Sequence, residues 1–269
     1  MASPALVWDV AIGQSTAVTQ NVVANLFYRG LAFRRAPELG DTLRTRTEVV
    51  ALRQNSVKAG RPATGLAALR ITTTDQHDEL VLDFWRCAML PLRDGTVRTD
   101  CCDDMALVGV DPVEIADITA GWALSGLFPQ RPELTEGQVV QVHGGDVVSC
   151  APELARLTLN VASAHHDNSS SETGRLVYGG HTIGVALSQL ARALPQVVTV
   201  LSWDHCQHLG PVREGDTLTS RIEVEQVWPA AAVRQGGRRV QLHCYVDARA
   251  APVEPTRPVL DWRLVVLVA

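Results

Sequence analysis

The sequence predicts an α+β fold made of two copies of one unit, each a helix followed by antiparallel strands. Three short motifs of the first half return in the same order in the second half, at a spacing of roughly 175 residues. The Ile-Gly pair at 12–13 returns at 183–184, the GDTL motif at 40–43 returns at 215–218, and the VLD motif at 81–83 returns at 259–261. Matches in one order at nearly one spacing indicate a duplication.

In the second copy, an apolar stripe predicts one long helix that ends at Pro195. The apolar residues recur at helical spacing, and they are Ile183, Leu187, Leu190 and Leu194. Three strands are predicted after this helix, at 219–226, 239–246 and 259–268. The first two alternate apolar and polar residues, and the third is almost wholly apolar.

The first copy repeats this pattern, with a helix predicted at 11–27 and strands at 41–52, 65–74 and 79–90. A long helix wrapped by a curved antiparallel sheet is the pattern of a hotdog unit. Two such units in one chain predict a tandem, or double, hotdog.

The two copies are unequal at their starts, which sets the expected domain organisation. We expect an N-terminal hotdog unit at 1–95, a linker at 96–134 and a C-terminal unit at 135–269. Only the second unit has a long leading segment, with a strand predicted at 139–148 and a polar stretch that runs to Gly180. A site built from that segment exists once per chain, so the first unit is predicted to be abbreviated and non-catalytic.

Bulk composition excludes several classes of function. The chain has 269 residues, 46% hydrophobic content and a net charge of −5. This charge provides no general attraction for nucleic acid, and no apolar run approaches the roughly 20 residues needed to cross a bilayer. We therefore expect a cytoplasmic protein without nucleic-acid or membrane partners.

Cysteine usage predicts structural thiols rather than a metal centre. The six cysteines show no CxxC spacing. Cys206, His205 and His208 offer three metal ligands, but they lie in one short segment, and the second segment that usually completes a zinc site is missing. We therefore expect no metal and no cofactor, and the two histidines are expected to line the unit interface or a pocket.

Residues of catalytic type are concentrated between Glu153 and His181. Ser149 is predicted to cap a short helix that ends near Asn160, and an irregular segment follows with His165, His166 and Asp167. Histidine can exchange a proton near neutral pH, and the amide of Asn160 can orient a water molecule.

A glycine pair, Gly179 and Gly180, then leads directly into the long helix of the second copy. The free N–H groups at a helix start favour a negatively charged oxygen, and glycine lets a ligand approach the backbone closely. Together with the histidine segment, this arrangement favours addition or removal of water beside a thioester.

The segments LTLNVASAHHD at 157–167 and GRLVYGGHTIG at 174–184 resemble the MaoC-like hotdog dehydratases and hydratases. The resemblance is strongest to the branch with mesaconyl-CoA hydratase (β-methylmalyl-CoA dehydratase) and the mitochondrial-type 3-hydroxyacyl thioester dehydratases. That branch has T-x-N and then H-Y-D, which Thr158, Asn160, His165 and Asp167 match, while His166 replaces the tyrosine. In the (R)-specific enoyl-CoA hydratases the position of Asn160 holds a catalytic aspartate.

The resemblance implies a reversible hydratase of an acyl-CoA thioester, with mesaconyl or methylmalyl as candidate acyl groups. His165 would move the proton, Asn160 would hold the water, and Asp167 would orient a histidine or close the loop. Substrate-binding residues are expected at the glycine pair and in the flanking segment, namely Gly179, Gly180, His166, Arg175 and Tyr178. First-unit candidates for binding CoA phosphates are Arg29, Arg34, Arg35 and Arg61.

Several alternatives stay open at this level. His165 can instead be a hydrogen-bonded loop residue, and His166 competes with it for the catalytic role. A hotdog thioesterase and a non-catalytic acyl-thioester-binding protein share the predicted fold. Two fused units can complete a hotdog pair within one chain, so both a monomer and a homodimer of such chains are compatible with the sequence.

Overall fold

The structure is a computed structural model that describes residues 1–124, 127, 132–170, 174–229 and 237–269. Its helices are α1 (Pro4–Ser15), α2 (Ala151–Leu157) and α3 (Gly179–Ala193). The strands of the first half are β1 (Ala24–Phe33), β2 (Arg44–Gln54), β3 (Thr64–Thr74) and β4 (Leu80–Pro91). The strands of the second half are β5 (Val139–Gln141), β6 (Asp146–Val147), β7 (Val197–His208), β8 (Thr217–Pro229), β9 (Arg238–Arg249) and β10 (Arg257–Val268).

All ten strands form one antiparallel sheet, in the order β2-β3-β4-β1-β7-β10-β9-β8-β5, with β6 also paired to β8. Outward from the β1–β7 pair, the first half runs β1, β4, β3, β2 and the second half runs β7, β10, β9, β8. The sheet therefore repeats the order of the duplicated motifs, which confirms the predicted α+β architecture of two helix-and-sheet units.

Most predicted elements occur within a few residues of their expected positions. The strands predicted at 41–52, 65–74, 79–90, 219–226, 239–246 and 259–268 are β2, β3, β4, β8, β9 and β10, and the helix ending before Pro195 is α3. Strands β1 and β7 were not predicted. They pair with each other at the centre of the sheet and are buried along most of their length, so they lack the polar alternation that marks a half-exposed strand.

The first helix was predicted in the wrong place. It was expected at 11–27, but α1 begins at Pro4 and ends at Ser15, and β1 starts at Ala24. Proline suits the first turn of a helix because its missing N–H has no partner there in any case. The intervening stretch is rich in β-branched residues, which have a lower helix propensity.

Two predictions ahead of α3 also need correction. The strand expected at 139–148 is interrupted, because Gly144 turns the chain with a φ of 77° between β5 and β6. The cap residue of α2 is Cys150 rather than Ser149, and no side-chain hydrogen bond caps that helix. The expected linker lies partly outside the described residues, and its described part contains one 3-10 turn at Met105–Leu107.

Three tryptophans join the two halves in one core. The ring of Trp8 on α1 lies 4.8 Å from that of Trp203 on β7 and 6.1 Å from that of Trp262 on β10, and the last two lie 5.4 Å apart. All three are fully buried. The first helix therefore packs on strands of the second unit. Within the described ranges, no helix is long and apolar enough to span a membrane.

Candidate active site

The segment from Thr158 to Val161 is held against the helix of the first unit. Leu159 adopts a φ of 60°, which reverses the chain after α2. The Val161 N–H donates to the Thr16 hydroxyl at 2.9 Å. A β-carbon on Gly13 would stand 1.7 Å from the Thr158 carbonyl oxygen, so only glycine allows this approach. The first unit thus positions the backbone on which the candidate catalytic residues lie.

Asn160 is buried, and three of its polar groups are used locally. Its N–H donates to the Ala155 carbonyl at 2.9 Å, its carbonyl accepts from His166 Nε2 at 2.6 Å, and its Oδ1 accepts from the Ala162 N–H at 3.0 Å. The side-chain Nδ2 is buried without a hydrogen-bond partner among the described residues. A buried amide donor left unpaired is costly, so this nitrogen marks a place for a bound acceptor such as water.

His165 is arranged to act as a base. Its Nδ1 lies 3.0 Å from the Leu176 carbonyl oxygen, and because a carbonyl only accepts, Nδ1 carries the proton and Nε2 has a lone pair. Burial lowers the pKa of His165, the bond to the Leu176 carbonyl opposes this, and nearby His166 and Arg86 lower the pKa further. The imidazole is therefore neutral at pH 7.

The two residues that follow His165 form hydrogen bonds that fix the conformation of this loop. His166 is bound to the backbone of Asn160, as described above, so its Nε2 is occupied. Asp167 is exposed, and its Oδ1 accepts from the N–H and the hydroxyl of Ser169 at 2.8 and 2.6 Å, which lowers the pKa of Asp167. These contacts place it in the turn that follows the histidines.

The first turn of α3 contacts a buried histidine of β7. A β-carbon on Gly179 would stand 2.6 Å from Nε2 of His208. That nitrogen is buried and has no hydrogen-bond partner in the described part of the chain. Burial lowers the pKa of His208 to about 4, and His165 contributes, so the ring is neutral near pH 7. An unpaired ring nitrogen beside free helix N–H groups indicates a binding position for a polar ligand atom.

A carboxyl group of the first unit lies at the same helix start. Asp9 on α1 is 3% exposed, and a β-carbon on Gly180 would stand 2.1 Å from its Oδ1. The hydroxyl of Tyr178 lies 3.3 Å from the Asp9 carbonyl oxygen and 3.4 Å from Oδ1. Burial raises the pKa of Asp9 to about 8, against the opposing bond from Tyr178. The carboxyl is therefore mostly protonated at pH 7.

A buried arginine completes the polar groups between the units. Arg86 on β4 donates to the hydroxyls of Ser15, at 3.1 Å, and Thr19. Tyr28 on β1 meets the His208 ring edge-on with centroids 5.9 Å apart, and Tyr178 meets the His165 ring at 5.6 Å. We call these six residues the junction cluster: Asp9, Tyr28 and Arg86 from the first unit, and His165, Tyr178 and His208 from the second.

Most arginines that were candidates for CoA phosphates are already paired. Arg175 forms an ion pair with Glu214. In the first unit, Arg34 pairs with Asp83 and Arg35 with Asp41 and Asp75, while Arg29 donates to carbonyls at 105–108. The remaining candidate, Arg61, lies at an exposed position.

Sequence reasoning found the second-unit residues of this site and missed those of the first. Asp9 lies inside the apolar run VWDVAI, and a single acid in such a run is a signal of a buried carboxyl. Because the helix was expected to start at residue 11, Asp9 lay outside it. Arg86 is likewise the single charge in the stretch FWRCAML of β4.

Comparison with known proteins finds sequence similarity to two curated enzymes that are named for CoA thioesters. No protein-family model matches the chain. The β-methylmalyl-CoA dehydratase of Chloroflexus aurantiacus is 28% identical over 233 residues, which cover 81% of this chain and 65% of that protein. The mesaconyl-CoA hydratase of Cereibacter sphaeroides is 28% identical over 235 residues, which cover 84% and 67%. The chain thus spans about two thirds of the length of these curated relatives.

Two solved structures share the fold over nearly the whole chain. RV0216 of Mycobacterium tuberculosis, a conserved hypothetical protein with a double hotdog fold, is 50% identical with a TM-score of 0.88, covering 99% of this chain and 82% of that one. A MaoC domain protein dehydratase from Chloroflexus aurantiacus is 23% identical with a TM-score of 0.79, covering 99% and 81%. This chain belongs with RV0216 to the double-hotdog proteins, and the enzymes to which it is similar are named as a MaoC domain protein dehydratase, a β-methylmalyl-CoA dehydratase and a mesaconyl-CoA hydratase.

Proposed function

We propose that this protein is an acyl-CoA hydratase, which adds water across the C2–C3 double bond of an enoyl-CoA thioester and catalyses the reverse dehydration. The main support for this proposal is the tautomer and the neutral charge of the His165 ring. Its Nδ1 proton is held by the Leu176 carbonyl, so a neutral ring presents Nε2 as a base. The unpaired Nδ2 of Asn160 lies on the same short segment and supplies the donor that orients water.

In the hydration direction, Asn160 Nδ2 donates to the oxygen of the water and His165 Nε2 accepts one of its protons. The water oxygen bonds to C3 as the double bond breaks, and the electron pair moves to the thioester carbonyl as an enolate. The imidazolium of His165 then returns the proton to C2. A single base carries out both proton transfers in this scheme, because the amide of Asn160 cannot hold a proton.

The enolate oxygen is stabilised at the first turn of α3 in this proposal. The N–H groups at Gly179 and Gly180 point out of the helix start, where negative charge is favoured. The charge of Asp9 affects this stabilisation. A protonated Asp9 carboxyl adds no charge at the start of α3, whereas an ionised one would repel the enolate. Neutral His208 offers a further ring nitrogen beside Gly179.

The acyl group is proposed from the relatives alone. Both curated enzymes are named for methyl-branched C5 dicarboxylic acyl thioesters, so mesaconyl-CoA and β-methylmalyl-CoA are the first substrates to test. Arg61 of the first unit is the candidate for contacts with the CoA phosphates.

A thioesterase is the second candidate, because Asp9 is a carboxyl group at the start of α3. Hydrolysis with a carboxylate base or nucleophile requires that group to be ionised. The raised pKa of Asp9 keeps it mostly protonated at pH 7, which disfavours this reaction near neutrality. Release of free CoA thiol, followed in the same assay, distinguishes the two activities.

The experiment is a panel of enoyl-CoA and 3-hydroxyacyl-CoA thioesters that includes mesaconyl-CoA, followed by the absorbance of the conjugated thioester. We expect turnover by the wild type and a loss of about 10²- to 10⁴-fold in kcat for His165→Ala. The matched control is His77→Ala, an exposed histidine of the first unit, which should keep full activity.

Equal turnover in wild type and a folded His165→Ala variant would contradict the proposal. Tight binding of acyl-CoA without any turnover across the panel would instead favour a non-catalytic acyl-thioester-binding protein. Unfolding curves of both variants establish that neither has lost its fold.

Location and assembly belong to the same proposal. The six cysteines are all free thiols, which suits a reducing compartment such as the cytoplasm. A homodimer of double-hotdog chains is proposed as the assembly, and light scattering on the purified protein measures it. A mass of one chain at all concentrations would contradict the dimer.

A further inference from the structure

Three strands of the second unit bring two histidines and an aspartate together on the face of the sheet opposite the junction cluster. Nε2 of His205 on β7 lies 3.0 Å from Oδ1 of Asp261 on β10, and Nε2 of His243 on β9 lies 2.6 Å from the same oxygen. These three atoms all lie within 4.8 Å of one another. His205 and His208 lie on opposite faces because side chains alternate along β7.

The duplicated aspartate of the first unit shows what is different here. Asp83 matches Asp261 in the repeated VLD motif, and it is flanked by two arginines, Arg34 at 2.7 Å and Arg70. Asp83 pairs with Thr72, and Asp261 pairs with Tyr245. Arg70 and His243 each lie two residues before that pairing partner, so they occupy equivalent positions in the two units. Two permanent cations in the first unit are thus replaced by two imidazoles in the second.

The surroundings of His243 orient its ring for binding a cation. Its Nδ1 lies 3.2 Å from Glu225 Oε1 and 2.8 Å from the Tyr245 hydroxyl. Two tautomers fit these contacts: the Tyr245 hydroxyl can donate to Nδ1 while Nε2–H donates to Asp261, or Nδ1–H can donate to Glu225 while Nε2 turns a lone pair toward Asp261. In the second tautomer, a metal ion between Nε2 and the carboxylate would satisfy both acceptors. A carboxylate on the far nitrogen of a histidine is the usual outer partner of a metal-bound imidazole.

We propose that His205, His243 and Asp261 form a binding site for a divalent transition metal of the zinc type. Ligands held about 2.1 Å from zinc in tetrahedral geometry are about 3.4 Å apart, so each histidine would need to move away from Asp261 by less than about 1 Å. The side chains are 24%, 9% and 27% exposed, so an ion can reach them from solvent.

Such an ion would link three adjacent strands and leave its fourth position to water or a ligand. Its positive charge would neutralise Asp261, as Arg34 and Arg70 neutralise the equivalent Asp83 in the first unit. The site lies on the other face of the sheet from His165 and Asn160, so it is independent of the proposed hydratase chemistry, and its test does not depend on activity.

The test is titration of Co²⁺ and Zn²⁺ into full-length protein freed of metal by chelation. Wild type is compared with His243→Arg, which installs the cation found at the equivalent position of the first unit, and with His77→Ala as the control. Cys102 and Cys150 are exposed thiols that can also bind metal, so the readout is the difference between variants.

We expect wild type and His77→Ala to bind one Co²⁺ more than His243→Arg, with the visible absorption of a tetrahedral site. The affinity of this site should fall at least about 100-fold in His243→Arg. Zinc should raise the Tm of wild type and of the control, but not that of His243→Arg. Identical titrations of wild type and His243→Arg, or no binding by wild type, would overturn the proposal.

Discussion

The two duplicated helices carry the same Ile-Gly pair, yet the two glycines have opposite surroundings. Gly13 on α1 packs so closely on the Thr158 carbonyl that a β-carbon there would stand 1.7 Å from the oxygen. At Gly184 on α3, no heavy atom of the described residues would lie within 4 Å of a β-carbon, apart from the backbone of its own helix. Helix α1 therefore supports the segment of the other unit that carries the candidate catalytic residues. The first unit contributes to the candidate site through this packing.

The largest expected effect tests this comparison with one substitution at two equivalent positions. Gly13→Ala must displace the backbone at Thr158, so we expect a loss of about 3 kcal/mol in the free energy of unfolding. Gly184→Ala should be neutral or stabilising by up to about 1 kcal/mol, because alanine is the better helix former. Urea unfolding of both variants measures the difference. Equal effects at the two positions would break the comparison.

A smaller difference is expected between the two repeated aspartates. Asp83→Asn leaves the half-buried cations Arg34 and Arg70 without their carboxylate, and we expect a cost of about 2 kcal/mol. Asp261→Asn in metal-free protein should cost about 1 kcal/mol or less, since the partners of Asp261 are imidazoles and not permanent cations. Thermal unfolding without and with zinc sharpens the comparison, because zinc should increase the cost at Asp261 alone. A zinc-independent cost at both positions would count against the metal site.

Local patterns were sufficient to predict the repeated outer strands. Strand β8 alternates in burial over most of its length, and β3 and β9 do so over part of theirs, so apolar residues recur at every second position there. Strands β1 and β7 were missed because they lie at the junction of the two halves. Their burial depends on the partner unit, which a local window of sequence does not contain.

The sequence predicts the part of the candidate site that lies on one continuous segment of the chain. Asn160, His165 and the glycine pair were identified from the order of the residues along the chain. Asp9 and Arg86 are more than 70 residues away from that segment in sequence and reach it only through folding. His205 was considered as a metal ligand, but with Cys206, which points to the opposite, buried face. Its partners His243 and Asp261 come from neighbouring strands.

If both units supply proton-holding groups to one site, the pH profile of hydration should depend on one residue from each unit. In the wild type, kcat/KM for hydration should rise as His165 loses its proton, below the ordinary histidine pKa of about 6.5. It should fall again near pH 8, because ionised Asp9 places negative charge beside the enolate. The other groups near Asp9 do not titrate there, since burial raises the pKa values of Tyr28 and Tyr178 and Arg86 stays charged.

The decisive comparison is the same profile for Asp9→Asn, which keeps the size of the side chain but cannot ionise. We predict that the fall near pH 8 disappears in this variant, while the rise due to His165 remains. A fall near pH 8 that persists unchanged in a folded Asp9→Asn protein would contradict the account, because the first unit would then contribute no titrating group to the site.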